Sequence, residues 1–117
     1  MSTQNTYYHY TSRLAAQNII CTGVIFPNQA GELFLTPDIY TKGYEAANFL
    51  AITNKPVEIR FEVHCDITSV HMRRVRNQRK YIHGKLRRIR KGGGMEIVLS
   101  TEVSIRNPGN WTSLDMP

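Results

Sequence analysis

A chain of 117 residues has the length for one domain and one modest core, and 41% hydrophobic with 9% aromatic residues marks an ordered globular protein, which excludes a disordered linker. There is no run of about 18 apolar residues, which excludes a membrane-spanning helix, and the start MSTQNTYYHYTS lacks both the basic end and the apolar stretch of a signal peptide, so an aqueous setting with no membrane partner is expected. The net charge of +6 is uneven: ten of the 15 lysines and arginines lie between Arg73 and Lys91 with no acid among them, leaving the rest of the chain mildly acidic.

The first predicted element is a strand from Thr6 to Thr11, where alternation puts Tyr7, His9 and Thr11 on one face. Thr11 or Ser12 can cap a helix running through Leu14, Ala15, Ile19 and Ile20, and Gly23 suits the left-handed position that ends it. Cys21 and Cys65 have no CxxC or Cys/His spacing around them, so neither a disulfide framework nor a metal site is expected, and both read as core thiols. Val24 to Pro27 leads into a turn around Asn28 to Gly31, and Glu32 to Leu35 is a short strand. Thr36-Pro37-Asp38 joins a capping side chain to proline at a first helical position, which predicts a helix to about Ala51 with Tyr40 and Tyr44 on one side.

After a turn at Asn54-Lys55-Pro56, the residues Val57, Ile59, Phe61 and Val63 alternate with Glu58, Arg60 and Glu62, the clearest strand pattern in the chain. Residues 73–91 have no clean apolar period and read as a long basic loop with some helix or a hairpin. Gly92-Gly93-Gly94 ends it. A strand follows, with Met95, Ile97, Leu99, Val103 and Ile105 on one face and Glu96, Val98, Ser100 and Glu102 on the other. Pro108, Gly109 and Trp111 in the tail read as a turn and a closing anchor. Two helices near the N-terminus and strands elsewhere give an α+β class.

Breaking the bond between a ribose and a nicotinamide leaving group builds oxocarbenium-like charge, which one fixed carboxylate can stabilise. Here Glu96 would meet that charge, His9 a sugar hydroxyl and Tyr44 an aromatic ring, while the triple glycine would let backbone approach a ligand. Each residue also has an ordinary reading. A histidine in a strand is commonly structural, a glutamate on a polar strand face commonly solvated, tyrosines four apart commonly pack, and a glycine run is commonly a turn. Their joint order along the chain is what sets them apart.

That order runs through Tyr8-His9-Tyr10-Thr11-Ser12, then Ala16, Ile19 and Gly23-Val24-Ile25, then Gly31-Glu32-Leu33-Phe34-Leu35-Thr36-Pro37, and ends at Gly92-Gly93-Gly94-Met95-Glu96. Over about residues 6–106 it resembles the ADP-ribosyltransferase superfamily, in the small branch with an H-Y-E-like triad, and more narrowly the C-terminal toxin domains of bacterial Rhs polymorphic toxins. The resemblance implies a split β-sandwich around an NAD cleft with two N-terminal helices, NAD+ as the substrate, and no metal. It implies His9 against the ribose, the Tyr10 backbone against the carboxamide with Thr11 beside it, and Glu96 as the catalytic carboxylate. The family's aromatics fall at Phe34 and near Tyr44; Phe34 offers no hydroxyl, so Thr36 and Tyr40 are further candidates for the middle place.

Relatives that modify arginine carry Glu or Gln two residues before the catalytic glutamate, where this chain has Gly94, so the implied acceptor is not arginine. The resemblance also implies elongation factor Tu as a protein target, with translation blocked. It further implies an acidic cognate immunity protein, and delivery of a secreted effector into a target bacterium. Residues 73–91 would steer an acidic partner or meet NAD+ phosphates. The competing readings are a nucleic-acid-binding module without catalysis and ADP-ribosylation of RNA, although Tyr81 is the segment's sole stacking residue and no nucleic-acid-binding signature is present.

Overall fold

In chain order the elements are β1 (Asn5–Thr11), α1 (Arg13–Thr22), β2 (Val24–Ile25), β3 (Leu33–Leu35), α2 (Gly43–Phe49), β4 (Ile59–Cys65), β5 (Met72–Arg74), β6 (Gln78–Ile82), β7 (Lys85–Arg90), β8 (Met95–Leu99), β9 (Val103–Ser104) and β10 (Trp111–Ser113). The computed structural model describes residues 5–53, 55–65, 72–105 and 110–114. Strands β1, β4 and β10 form an antiparallel sheet with β4 central, and β3, β8 and β5 form a second with β8 central. Strand β2 pairs with β9, and β6 with β7. The class is α+β, and the two helices among the described residues lie in the N-terminal half.

The period-two pattern determines what packs where. Register sets Tyr7 opposite Val63, His9 opposite Phe61 and Thr11 opposite Ile59, so these residues share one face of the first sheet. Against that face pack Leu33 and Leu35 of β3, Ile97 of β8 and Ala16 and Ile19 of α1, with Phe61 fully buried among them. The other face of β1 sends Tyr10 into a smaller cluster with Ala46 of α2, Val57 and Leu114. Strand β1 is therefore buried on both sides. The Tyr10 hydroxyl meets that demand by donating to the Asp38 carbonyl at 3.0 Å and accepting from the Tyr40 N–H at 2.7 Å.

Local signals hold where the residues they involve are neighbours. Ser12, and not Thr11, caps α1 by accepting from the Ala15 N–H at 3.2 Å, and Gly23 ends the helix at φ 71° with its N–H on the Ile19 carbonyl. The predicted helix from Thr36 is shorter than expected, starting only at Gly43. The physical reason is that residues 36–40 are bound elsewhere: Thr36 bridges to Tyr8, the Asp38 carboxylate accepts from Met95, and the Tyr40 N–H goes to Tyr10. The strand predicted through Ile105 breaks at bends in Ser100 and Thr101, after which β9 takes β2 as its partner.

Further expectations need correction. Cys21 is an exposed thiol on α1, not a core residue; the side chain of Cys65 lies outside the described residues. The anchor of the tail is Leu114, which is buried, whereas Trp111 is 40% exposed on β10. Asn54 of the predicted turn, with Pro108 and Gly109, lies outside the described residues. Among the described residues no helix is long and apolar enough to cross a membrane, and no cluster of metal-ligating side chains occurs.

Phe61 is fully buried in the larger core cluster on a strand paired on both edges, so Phe61→Ala leaves a cavity that the paired strands cannot close. The expected cost is about 3–5 kcal/mol, read as a lower urea midpoint at unchanged slope.

Candidate active site

A cleft of about 500 Å³ lies where the two three-stranded sheets meet. His9, Tyr10 and Thr11 from β1 line it, as do Phe34 from β3, Thr36 just after β3, Lys55, and Glu96 from β8. Thr36 holds this arrangement together. It exchanges backbone hydrogen bonds with Tyr8 at 2.7 and 2.9 Å, and its hydroxyl donates to the Met95 carbonyl at 2.5 Å while accepting from the Asp38 N–H at 3.1 Å. Asp38 completes the hold on Met95 by accepting its N–H at 2.9 Å. Both backbone groups of the residue before Glu96 are thus fixed to the segment that follows β3.

Strand alternation also orients the β1 backbone. Thr11 O accepts from Glu58 N at 3.0 Å on the β4 side, and Tyr8 bonds to Thr36 on the other side. The N–H and C=O of Tyr10 consequently point away from β4, along the same edge as those of Tyr8.

His9 is partly buried, and its Nδ1–H donates to the Phe34 carbonyl at 3.0 Å. Burial lowers its pKa from 6.5 to about 4, with the positive charge of Lys55 adding to the effect and the Phe34 bond opposing it. The ring is therefore neutral near pH 7, and because Nδ1 carries the proton, Nε2 is left as an acceptor. Lys55 is itself half-buried, with its pKa lowered by burial, and its Nζ donates to the Thr11 hydroxyl at 3.1 Å. Among the described residues no carboxylate lies within ion-pair distance of it. A lysine removed from water without an acid beside it favours an anionic ligand in the cleft.

Glu96 has a side chain only 14% exposed, and its Oε1 accepts from Arg73 Nε at 2.7 Å across the β5–β8 register. The arginine is 60% exposed, so the carboxylate is held from the solvent side. Of the three glycines before Glu96, Gly92 and Gly94 are close-packed, while a Cβ at Gly93 would meet open space. Gly92 sits at φ 71° with its N–H on Asn48, and a Cβ there would lie 2.6 Å from the Val75 carbonyl oxygen. At Gly94 a Cβ would lie 2.7 Å from the Tyr40 hydroxyl. The run threads between β5 and the end of α2, which places Glu96 at a defined height on β8.

Of the residues singled out in the sequence, His9, Tyr10, Thr11, Phe34, Thr36 and Glu96 meet in the cleft. Tyr40 and Tyr44 are not part of its lining. Tyr40 stacks on Phe49 with ring centres 5.6 Å apart and donates its hydroxyl to Asp38, while Tyr44 is 49% exposed on α2 beneath the Lys42 ammonium. They share no helix face, because Tyr40 precedes α2. Sequence reasoning missed Lys55, Asp38 and Arg73 as parts of the site. The signal for Lys55 was slight, a single lysine in a turn; that for Arg73 was hidden among nine other cations. Comparison with protein-family models, with curated proteins and with solved structures finds no match to this chain.

Thr36→Val keeps the shape of the side chain but leaves the Met95 carbonyl and the Asp38 N–H without their partner. A loss of about 1–3 kcal/mol in urea unfolding is expected, with faster hydrogen exchange at the Asp38 amide. For His9 the folded pKa of about 4 lies below the unfolded 6.5, so between these values the unfolded chain binds the proton and the native chain does not. Its contribution is complete above 6.5 and shrinks as pH falls to about 4. Urea midpoints of the wild type should therefore fall more steeply over this window than those of His9→Gln; parallel profiles would show that His9 titrates normally.

Proposed function

We propose that the cleft binds NAD+ and that the protein is an ADP-ribosyltransferase. The observation that carries this reading is the meeting of His9 and Glu96 in one cleft from strands that Thr36 ties together. The Nε2 of neutral His9 accepts from a hydroxyl of the nicotinamide ribose, and the edge groups of Tyr10 take the carboxamide. Phe34, 37% exposed at the cleft wall, gives the ring a face to stack on. Lys55 supplies the positive charge for the pyrophosphate.

As the bond from C1′ to the nicotinamide nitrogen breaks, its electron pair leaves with nicotinamide and positive charge develops on the ribose. Glu96 stabilises that charge from a fixed position, since Arg73 holds one oxygen and the Met95 backbone is clamped on both sides. The acceptor then bonds to C1′ and releases its proton. No second carboxylate stands two residues before Glu96: position 94 is glycine, and a Cβ there would lie 2.7 Å from the Tyr40 hydroxyl. That supports an acceptor other than arginine. The resemblance of the sequence to Rhs toxin domains makes elongation factor Tu the first acceptor to test and suggests an acidic immunity protein as a partner.

Nicotinamide release from NAD+ tests the reading directly. Glu96→Gln should lower kcat by about a hundredfold or more, and Lys55→Gln should raise KM for NAD+ with a smaller change in kcat. Wild-type protein that releases no nicotinamide would leave the noncatalytic nucleic-acid module as the reading to pursue.

A further inference from the structure

The hairpin β6–β7 is left unused by the proposed chemistry. It is a sheet of its own, every residue of β6 is exposed, and among the described residues neither apolar cluster draws on it. It is fastened at one end. There Gln78 lines the cleft, Arg90 Nε donates to the Ile52 carbonyl at 3.2 Å, and the Lys91 N–H donates to the Asn48 side chain at 2.7 Å. At the other end His83 and Gly84 both take positive φ, 52° and 75°, the turn that matches the twist of a two-stranded ribbon. The radius of gyration, 14.7 Å, exceeds the value of about 13.4 Å expected for a rounded domain of this length, as an arm standing off the body requires.

The residues of this arm do not serve its own stability. A lone two-stranded ribbon is marginal in water, and here the register sets Arg79 opposite Arg88 and Lys80 opposite Arg87. Opposed like charges weaken a ribbon further. Near the turn it also exposes large apolar side chains, with Tyr81 72% and Leu86 48% exposed as an opposed pair on one face, and Ile82 43% exposed on the other. Aromatic and apolar anchors inside a positive rim are the make-up of a protein-binding centre. A phosphate backbone is met by cations and polar groups and has no use for Leu86 or Ile82, whereas an apolar pocket in a protein does.

We propose that the β6–β7 ribbon is the docking arm for the acceptor, and that the acceptor is a protein whose acidic surface surrounds an apolar pocket for Tyr81 and Leu86. This rests on the NAD+ reading of the cleft. Because β6 begins at Gln78, which shares the cleft lining with Glu96, a protein seated on the arm is brought to the mouth of the site. After nicotinamide leaves, either water or the acceptor nucleophile can bond to C1′ and lose its proton; water needs no docking, and the acceptor does.

The two outcomes separate the arm from the chemistry. Tyr81→Ser with Leu86→Ser, and independently Arg79→Glu with Lys80→Glu, would be compared with the wild type using NAD+ labelled on its adenine half. Nicotinamide release is followed in buffer alone, and label in the protein and RNA fractions after addition of bacterial lysate. Both variants should keep the hydrolysis of the wild type, which reports an intact cleft, while label in the protein fraction drops by about tenfold or more. Undiminished protein labelling by both variants overturns the docking arm and leaves the NAD+ reading standing. Label recovered mainly in RNA overturns the choice of a protein acceptor. A wild type that releases no nicotinamide ends the NAD+ reading, and this proposal with it.

Discussion

Thr36 exchanges two backbone hydrogen bonds with Tyr8 and gives its hydroxyl to the Met95 carbonyl, so one residue sets the spacing between the strand of His9 and the strand of Glu96. Its side chain is almost fully buried, where a hydroxyl without a partner is costly, and every bond it makes crosses between elements or anchors Asp38. Threonine suits the place for two reasons. Its β-branch favours extended backbone beside Tyr8, and its oxygen both donates and accepts. Asp38 adds a second tie to Met95, so the carboxylate of Glu96 rises from a backbone that cannot shift without breaking several buried bonds.

Around that frame the charges of the cleft are arranged by burial. His9 stays neutral because it is partly withdrawn from water beside Lys55. Burial lowers the pKa of Lys55, whose Nζ donates to the Thr11 hydroxyl and, among the described residues, has no carboxylate beside it. Glu96 is shielded, yet its arginine reaches it from solvent, so the pair costs less to desolvate than one enclosed on all sides. The cleft is thus lined by a basic side chain and a neutral donor–acceptor ring on the β1 side and by an oriented carboxylate on β8.

How much of this could be read from the sequence depended on the range of the forces involved. The strand of Ile59, Phe61 and Val63 was legible because one buried face writes a two-residue period, and α1 because Ser12 and Gly23 act on neighbouring turns. The candidate site was legible through the order of His9, Phe34 and Glu96 along the chain, but its supports were not. Asp38 and Pro37 give a helix signal that long-range bonds to Met95 and Tyr8 override, which also displaced Tyr40 from any helix face. The glycine run reads as a loop until the packing of Val75 and Tyr40 against it is seen. The hairpin β6–β7 writes no apolar period because, among the described residues of β6, both faces are in solvent.

The strand pairings that form the cleft join distant parts of the chain, Tyr7 with Val63, Leu33 with Leu99, and Phe61 with Trp111. Each must close a large loop before it gains anything, so the fold belongs with the slow, high-contact-order class. On a ribosome, His9 emerges long before the partner strand of β1, and β3 waits still longer for β8. A nascent or partly unfolded chain therefore holds the pieces of the pocket at unrelated positions, and no intermediate short of the paired β8 has both sides of the cleft.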